Sequence, residues 1–483
     1  MTSRLFYWSL TSALAGFLFG FDTVVISGAE QTIEQLWDLG KVTHGLAMSA
    51  ALWGTVLGSL IGGWPTDAWG RRKTLLSIGA LYFISAVWSG LATDVYTFMI
   101  ARFIGGLGVG ISTVAAPLYI SEISPPESRG RLAAMFQFNI VFGILIAFAS
   151  NALLAGIGEN AWRWMLGVEA FPAIIYTLMC FSLPESPRWL IAEQGDREAG
   201  LQVLRLSAPE RSEADVEALA DEIATAAQEE KKSIHGFWSG KMMTPILLAF
   251  LVAFFNQMSG INAILYFAPR IFKAAGQTSE GALQTSIGIG VVNLIFTFVG
   301  LWLIDRLGRK TLLLIGSFGY IASLLICSWA SSMAPPVPAE QPTAAAAELA
   351  SLDEEPAAAV AQAEQPELTD SQKQGVWLLA IGLYVFIASH AVGQGAVIWV
   401  LISEIFPNRY RAMGQSLGSF THWIFAALIT LCFPFFAANA GMMAIFLFFA
   451  GMMVLQLLWV VTMVPETKGV PLEEMEHKLG ITP

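Results

Sequence analysis

The chain has 483 residues, of which 55% are hydrophobic and 13% are charged, and its mean hydropathy is +0.60. This balance excludes an ordinary soluble protein, in which about a quarter of the residues are charged. The formal net charge of -11 offers no basic surface, so we expect no nucleic-acid partner. Cys180, Cys327 and Cys432 lie in apolar runs, without the paired spacing of a disulfide framework or a zinc site.

Twelve apolar stretches are each long enough to cross a bilayer, which takes about twenty residues of α-helix. Span 1 lacks a cleavage site of small residues and contains Asp22, so we interpret it as a membrane helix and not as a signal peptide. The sequence therefore predicts an all-α membrane protein with twelve transmembrane helices. Spans 1 to 12 cover approximately residues 6–28, 46–65, 74–92, 96–119, 131–155, 163–183, 244–272, 281–304, 310–332, 375–403, 411–437 and 441–464.

A polar segment between spans 6 and 7 divides the chain into two halves. We expect an N-terminal six-helix bundle over 1–184, a cytoplasmic helical linker over 185–241, a C-terminal six-helix bundle over 242–465 and a cytoplasmic tail over 466–483. Within the second bundle, residues 331–371 are rich in Ala, Pro and Glu and contain no apolar run, which predicts a poorly ordered external loop.

Basic residues occur in every second gap between the spans. Lys and Arg are concentrated on the cytoplasmic side of membrane proteins, so these gaps and both termini are predicted to be cytoplasmic, in a cytoplasmic (inner) membrane. The residues are Arg71, Arg72, Lys73, Arg129, Arg131, Arg188, Arg306, Arg309, Lys310, Arg409 and Arg411.

The two halves repeat three short motifs in the same order. Residues 67–73 after span 2 recur as 305–310 after span 8. Glu122 with its following arginines recurs as Glu404, and Pro184-Glu185 recurs as Pro465-Glu466. Parallel six-helix repeats are the plan of the major facilitator fold, which the sequence therefore predicts.

With these motifs the sequence resembles the sugar porter family of the major facilitator superfamily over nearly its whole length. The matching segments are 67–72, 102–106, 122–131, 184–188, Gln257 with 260–262, and 465–469. The resemblance implies a secondary transporter that moves a monosaccharide by alternating access. It also implies that Tyr266 belongs to an external gate and that the sugar contacts Gln137, Asn256, Gln257, Asn262, Asn293 and Trp399.

Asp22 and Arg102 are charged residues inside spans 1 and 4, at similar depth in the outer half of the bilayer. A charge in hydrocarbon is costly, so such a pair is a functional hypothesis by default. Protonation of Asp22 would release Arg102 and so bias which conformation is preferred. In the family that the sequence resembles, an acid at this position accompanies proton coupling. A purely structural ion pair is the alternative interpretation.

Uncharged polar residues near the midplane form the candidate sugar site, because amides supply donors and acceptors without the cost of burying a charge. Helix packing is the alternative role for Asn293. His390 and His422 occupy family sugar positions and resemble the corresponding segments of fructose facilitators, which favours a ketohexose over glucose or xylose. Gly395-Ala396 stands where the family has Gly-Pro, so the usual break of span 10 is in question.

Charged motif residues are predicted to lie where the cytoplasmic ends of the two halves meet. Ion pairs between the halves would latch the outward-facing state and break when that face opens. Topology signalling and surface solvation are the alternative. The residues are Asp67, Arg71, Glu122, Arg129, Glu185, Asp305, Arg309, Glu404, Arg411 and Glu466.

Three functions remain open at this stage. The first is a proton-linked monosaccharide symporter, and the second is a passive facilitator, whose uptake would not depend on external pH or on the Asp22 carboxylate. The third is a sugar receptor that signals without transport, although such proteins usually carry cytoplasmic tails longer than 466–483. We expect no enzyme, cofactor or metal, because no nucleophile, metal cluster or phosphate loop is found. The expected partners are the sugar, a proton and the bilayer, around a monomer.

Overall fold

The structure, a computed structural model, describes residues 2–230, 237–335, 368–407, 410–470 and 472–481. In this part of the chain the secondary structure is helical and contains no β-strand. The α-helices, numbered in chain order from α1 to α20, are Ser3–Leu36, Lys41–Ile61, Gly63–Ala68, Arg71–Leu91, Val95–Ile123, Pro126–Leu154, Ala161–Gly167, Ala170–Cys180, Pro187–Ala192, Arg197–Ser207, Glu213–Glu230, Met243–Met258, Ile261–Ala274, Ser279–Leu307, Arg309–Ser332, Asp370–Val392, Gln394–Ile405, Arg411–Asn439, Gly441–Met463 and Leu472–Lys478.

Eleven helical segments of the described chain are long and apolar enough to cross a membrane. Predicted span 6 is the remaining one, and it forms two shorter helices, α7 and α8, which are separated by Val168 and Glu169. Together these segments confirm an all-α membrane protein of the predicted class. Helix α1 continues to Leu36, beyond the predicted end of span 1 at residue 28. The prediction was too short because polar residues interrupt the apolar run there, and these residues are held by partners on neighbouring helices.

Two predicted spans are broken within their length. Span 7 is divided into α12 and α13 at Gly260, whose φ of 88° is a left-handed conformation that glycine adopts at little cost. Span 10 is divided into α16 and α17 at Gly393, which has φ -86° and ψ -100°. The break of span 10 is therefore present although Ala396 replaces the usual proline.

Each half is a bundle of packed helices, and among the described residues the two halves meet chiefly along three pairs of helices. In the first half α1 packs against α6, α2 against α5, and α4 against α5 and α8. In the second half α12 packs against α18, and α15 against α16 and α19. Contacts between the halves join α2 to α18, α6 to α14 and α1 to α13. The site described below lies along these contacts.

The outer surface of the bundle is strongly apolar. Leu153, Phe171, Phe318 and Trp377 are each more than half exposed. A soluble protein rarely exposes apolar surface on this scale, whereas in a bilayer such side chains face lipid.

The predicted linker and external loop are described only in part. Helices α9, α10 and α11 lie in the linker and pack on one another, and Trp189 Nε1 donates to Asp67 O at 2.6 Å, which attaches them to the first half. Of the predicted external loop 331–371, residues 336–367 lie outside the described residues.

Candidate functional site

Asp22 and Arg102 form a buried ion pair between α1 and α5. Arg102 Nη1 donates to Asp22 Oδ1 at 2.6 Å, and Nη2 donates to Asp22 Oδ2 at 3.3 Å and to the Asp22 carbonyl oxygen at 2.9 Å. The two side chains are 1% and 2% exposed. Breaking such a pair strands a charge in a medium of low dielectric, so its arrangement is sensitive to the loss of either charge.

Glu169 is a second buried carboxylate beside this pair, and the sequence reasoning missed it. It lies between α7 and α8, is 1% exposed, and has Asp22 and Arg102 as charged neighbours. Its Oε1 has no hydrogen-bond partner among the described residues. The sequence did contain a signal for this buried carboxylate, because Glu169 is an acidic residue inside predicted span 6. The group contains two carboxylates for one guanidinium, so a single proton neutralises it.

The side-chain amides of predicted span 7 form a hydrogen-bonded network with His422. Gln257 Nε2 donates to Asn256 Oδ1 at 3.0 Å and lies 3.1 Å from Nε2 of His422, on α18. Asn262 Nδ2 donates to Gln257 Oε1 at 2.8 Å. The break at Gly260 brings Asn262 back to within reach of Gln257. Four residues predicted to contact the sugar are thus in one cluster.

Aromatic rings and a second histidine border this network. The Trp399 ring lies 5.4 Å from the His422 ring, and Trp423 lies 5.5 Å from Phe19 of the first half. His390 is held by a buried tyrosine, with Tyr320 OH 2.7 Å from His390 Nδ1. The cluster therefore combines neutral donors and acceptors with aromatic faces, an arrangement that suits a sugar.

Two further predicted sugar residues lie on the contact between the halves. Gln137 is on α6 and Asn293 is on α14, and these helices pack together, with 5.5 Å between the rings of Phe138 and Phe298. No hydrogen bond joins either residue to the Gln257 network in the described structure. The predicted gate residue Tyr266 is buried and has Asp22 and Arg102 as electrostatic neighbours.

The end of the bundle where α1 begins, here called the terminal face, carries a charged cluster in each half. In the first half Arg71 donates Nε to Glu122 Oε2 at 2.8 Å and Nη2 to Glu122 Oε1 at 2.9 Å, and Nη1 donates to Asp67 at 3.1 Å. Glu185 accepts the backbone N–H of Arg71 at 2.8 Å. Burial raises the pKa of the Glu185 carboxyl, and backbone N–H groups oppose this rise.

The second half repeats this cluster contact for contact. Arg309 donates to both oxygens of Glu404 at 3.0 and 2.7 Å and to Asp305 at 3.3 Å. Glu466 accepts the backbone N–H of Arg309 at 2.9 Å. Gly70 and Gly308 precede the two arginines with φ of 88° and 90°, and a Cβ at either would collide with Glu185 or Glu466.

These ion pairs join residues of the same half and do not join the two halves. Arg411 Nε donates to the Ser403 carbonyl oxygen at 2.9 Å, also within one half, and the Arg129 side chain lies outside the described residues. A latch between the halves at the terminal face thus stays a prediction for another conformation.

Among the described residues, the ion pairs that join the halves lie at the other end of the bundle, here called the opposite face. Arg270 Nη2, on α13, lies 2.6 Å from Glu30 Oε1 and also contacts Glu34, both on α1. His44 Nε2, on α2, lies 3.0 Å from Glu30 Oε1. Below them the Phe267 and Phe433 rings stack at 4.4 Å. The sequence reasoning missed these charges because span 1 was ended too early, although Arg270 stood visibly inside span 7.

Comparison with known proteins agrees with this architecture. A family model described as "Sugar (and other) transporter" matches residues 8–479. The chain is 33% identical to the arabinose-proton symporter of Bacillus subtilis, covering 97% of this chain and 93% of that protein. It is 34% identical to the glucose transport protein of Synechocystis, covering 96% and 95%. The inward open structure of the xylose transporter XylE from E. coli superimposes with a TM-score of 0.77 at 28% identity, covering 98% and 99%.

Proposed function

Because the chain belongs to the sugar porter family of the major facilitator superfamily, we propose that it moves a monosaccharide across a cytoplasmic membrane together with a proton, by alternating access. Like its relatives, it is a sugar transporter and not an enzyme. The observation that carries proton coupling is the buried pair of Asp22 and Arg102, 2.6 Å apart.

Protonation acts on the group formed by Asp22, Arg102 and Glu169. A proton on Asp22 removes the charge that holds Arg102, whose guanidinium is then free to turn to Glu169. The conformation with the higher proton affinity is favoured when a proton binds, and the energy available is the difference in affinity between the two conformations. The buried tyrosines Tyr82 and Tyr266 also lie near this group.

We assign the sugar to the network of Gln257, Asn256, Asn262 and His422, bordered by Trp399. The substrate proposed is a hexose. Neutral amide and imidazole groups suit its hydroxyls, because each hydroxyl both donates and accepts hydrogen bonds, as these groups do. His390 and His422 favour a ketohexose such as fructose. The relatives support a monosaccharide in general, since one is an arabinose-proton symporter and another a glucose transport protein.

The closed opposite face supports an inward-facing conformation. Arg270 of the second half pairs with Glu30 and Glu34 of the first half, whereas the charged clusters of the terminal face pair within each half. With the terminal face assigned to the cytoplasm, as its arginines indicate, the protein is open to the cytoplasm and closed to the exterior. The similarity to the inward open structure of XylE supports this assignment.

Proteoliposomes made with the purified protein test the proposal. An inward proton gradient is imposed, and labelled fructose, glucose, xylose and arabinose are offered outside. We expect one monosaccharide to accumulate above its external concentration and to leak out when a protonophore is added. Equilibration to equal concentrations would identify a passive facilitator, and absence of counterflow for every sugar would leave the receptor alternative.

A further inference from the structure

Glu30, Glu34 and His44 form a cation-binding group that belongs entirely to the first half. Glu30 and Glu34 are one turn apart on α1, and His44 faces them from the start of α2. One donor atom from each residue lies within 4.8 Å of the others. Glu30 is 1% exposed and His44 is fully buried.

The spacing of the donor atoms fits a divalent metal of the zinc type. His44 Nε2 lies 3.0 Å from Glu30 Oε1, and His44 Nδ1 lies 3.6 Å from Glu34 Oε1. One imidazole gives a metal one ring nitrogen, so only one of these separations at a time is an edge of the site. The 3.0 Å from Nε2 to Glu30 Oε1 is close to the edge of about 3.3 Å of a tetrahedron around a zinc ion with bonds of about 2.0 Å, and the third donor atom lies within 4.8 Å. Carboxylate oxygen and imidazole nitrogen are both zinc ligands, and three protein ligands leave a fourth position to water.

In this structure the positive charge inside the group is a guanidinium from the second half. Arg270 Nη2 lies 2.6 Å from Glu30 Oε1 and also contacts Glu34, so it takes the place a metal would need. Lys41 Nζ pairs with Glu34 at 3.0 Å from within the first half. When the halves separate on this face, Arg270 leaves with α13. Two carboxylates and one ammonium then remain, which is one negative charge in excess.

The buried side chains explain why another cation would be bound. The oxygens of Glu30 and the ring nitrogens of His44 have no well-aligned hydrogen bond among the described residues, so close charge is their main stabilisation. Removing Arg270 would leave Glu30 without its cation, and an uncompensated buried carboxylate is costly. Solvent reaches the rim, because Lys41 and Arg270 are 36% and 21% exposed.

We propose that Glu30, Glu34 and His44 are a zinc-type divalent metal site that competes with Arg270, so that the metal holds the opposite face open and inhibits the transport cycle. Metal and guanidinium exclude each other. Each therefore shifts the equilibrium against the other by the same factor.

Metal binding is measured first, on purified full-length protein with Zn²⁺ as the probe and no sugar present. Arg270→Gln removes the competitor, so we expect it to bind Zn²⁺ about 5- to 150-fold more tightly than the wild type, the usual range of such a coupling. Adding His44→Asn or Glu34→Gln to Arg270→Gln should weaken binding about tenfold or more, since even indirect support of a metal ligand is worth that much. His477→Asn, in the distant helix α20, is the matched control and should change nothing.

Equal affinity of the wild type and Arg270→Gln for Zn²⁺ would overturn the proposal. So would an affinity of Arg270→Gln for Zn²⁺ that neither His44→Asn nor Glu34→Gln lowers. Glu34→Gln carries the test if His44→Asn does not fold, because Glu34 is the more exposed ligand. Sugar exchange in proteoliposomes is measured second, with Zn²⁺ added on the opposite face. Inhibition that His44→Asn relieves is expected, and inhibition that persists in this variant contradicts the assigned site. The binding measurement needs no sugar, so its outcome is independent of the proposed substrate and proton coupling.

Discussion

Asp22→Asn separates coupling from transport. The substitution keeps the shape of the side chain and removes its charge. Of the three bonds from Arg102, the one to the Asp22 carbonyl oxygen at 2.9 Å is retained, and the amide oxygen can still accept one of the other two. Breaking a buried pair costs about 3–5 kcal/mol. The retained bonds and the nearby Glu169 carboxylate place this variant at the lower end, about 3 kcal/mol, so we expect a folded protein of reduced stability.

The effect on accumulation follows from the energy of the proton gradient. One pH unit is worth about 1.4 kcal/mol per proton, which supports about tenfold accumulation at one proton per sugar. We expect the wild type to approach this ratio in proteoliposomes and Asp22→Asn to stop at equal concentrations, while counterflow of labelled sugar continues in both.

Asp94→Asn is the matched control for the loss of a carboxylate. Asp94 accepts the backbone N–H and the hydroxyl of Thr97 and the backbone N–H of Tyr96 at the start of α5, and these bonds hold the pKa of its carboxyl below the usual range. Asparagine caps a helix about as well, so this variant should accumulate sugar like the wild type. Tenfold accumulation by Asp22→Asn would refute the assignment of coupling to Asp22.

Three further predictions concern the sugar site and the external segment. Gln257→Ala and Trp399→Ala should each weaken sugar binding by about 1–3 kcal/mol, measured by equilibrium binding, and unchanged affinity in both would mean that the site is elsewhere. His422→Gln or His390→Phe should shift the ratio of ketohexose to aldohexose transport and keep its pH dependence, measured by competition with fructose, glucose and xylose. Fixed selectivity with lost coupling would instead assign the histidines to the proton path. Replacing 336–367 by a short flexible linker should leave transport intact, and loss of transport in a correctly inserted variant would show that the segment is a lid or a partner site.

The sequence was sufficient to find the membrane spans, but not their ends or breaks, because a bilayer imposes a length and a composition on every helix that crosses it. Repeated motifs predicted the two halves. In the structure these motifs form equivalent clusters around Arg71 and Arg309. The depth of Asp22 and Arg102 along their helices was enough to predict that they approach each other, and their atoms lie 2.6 Å apart. Family positions gave the sugar residues, whose roles remain predictions.

Only the tertiary structure decided which charges meet across the halves. Helix length is a local property, but the pairing of Arg270 with Glu30 depends on how α13 is placed against α1, and hydropathy carries no information on that placement. The same holds for Glu169, which stands in the chain as a lone acidic residue and becomes part of the Asp22 group only through the packing of α7 and α8 against α1. A buried charge needs a partner, but the sequence does not say which one, since residues far apart in the chain are brought together by the packing of the helices.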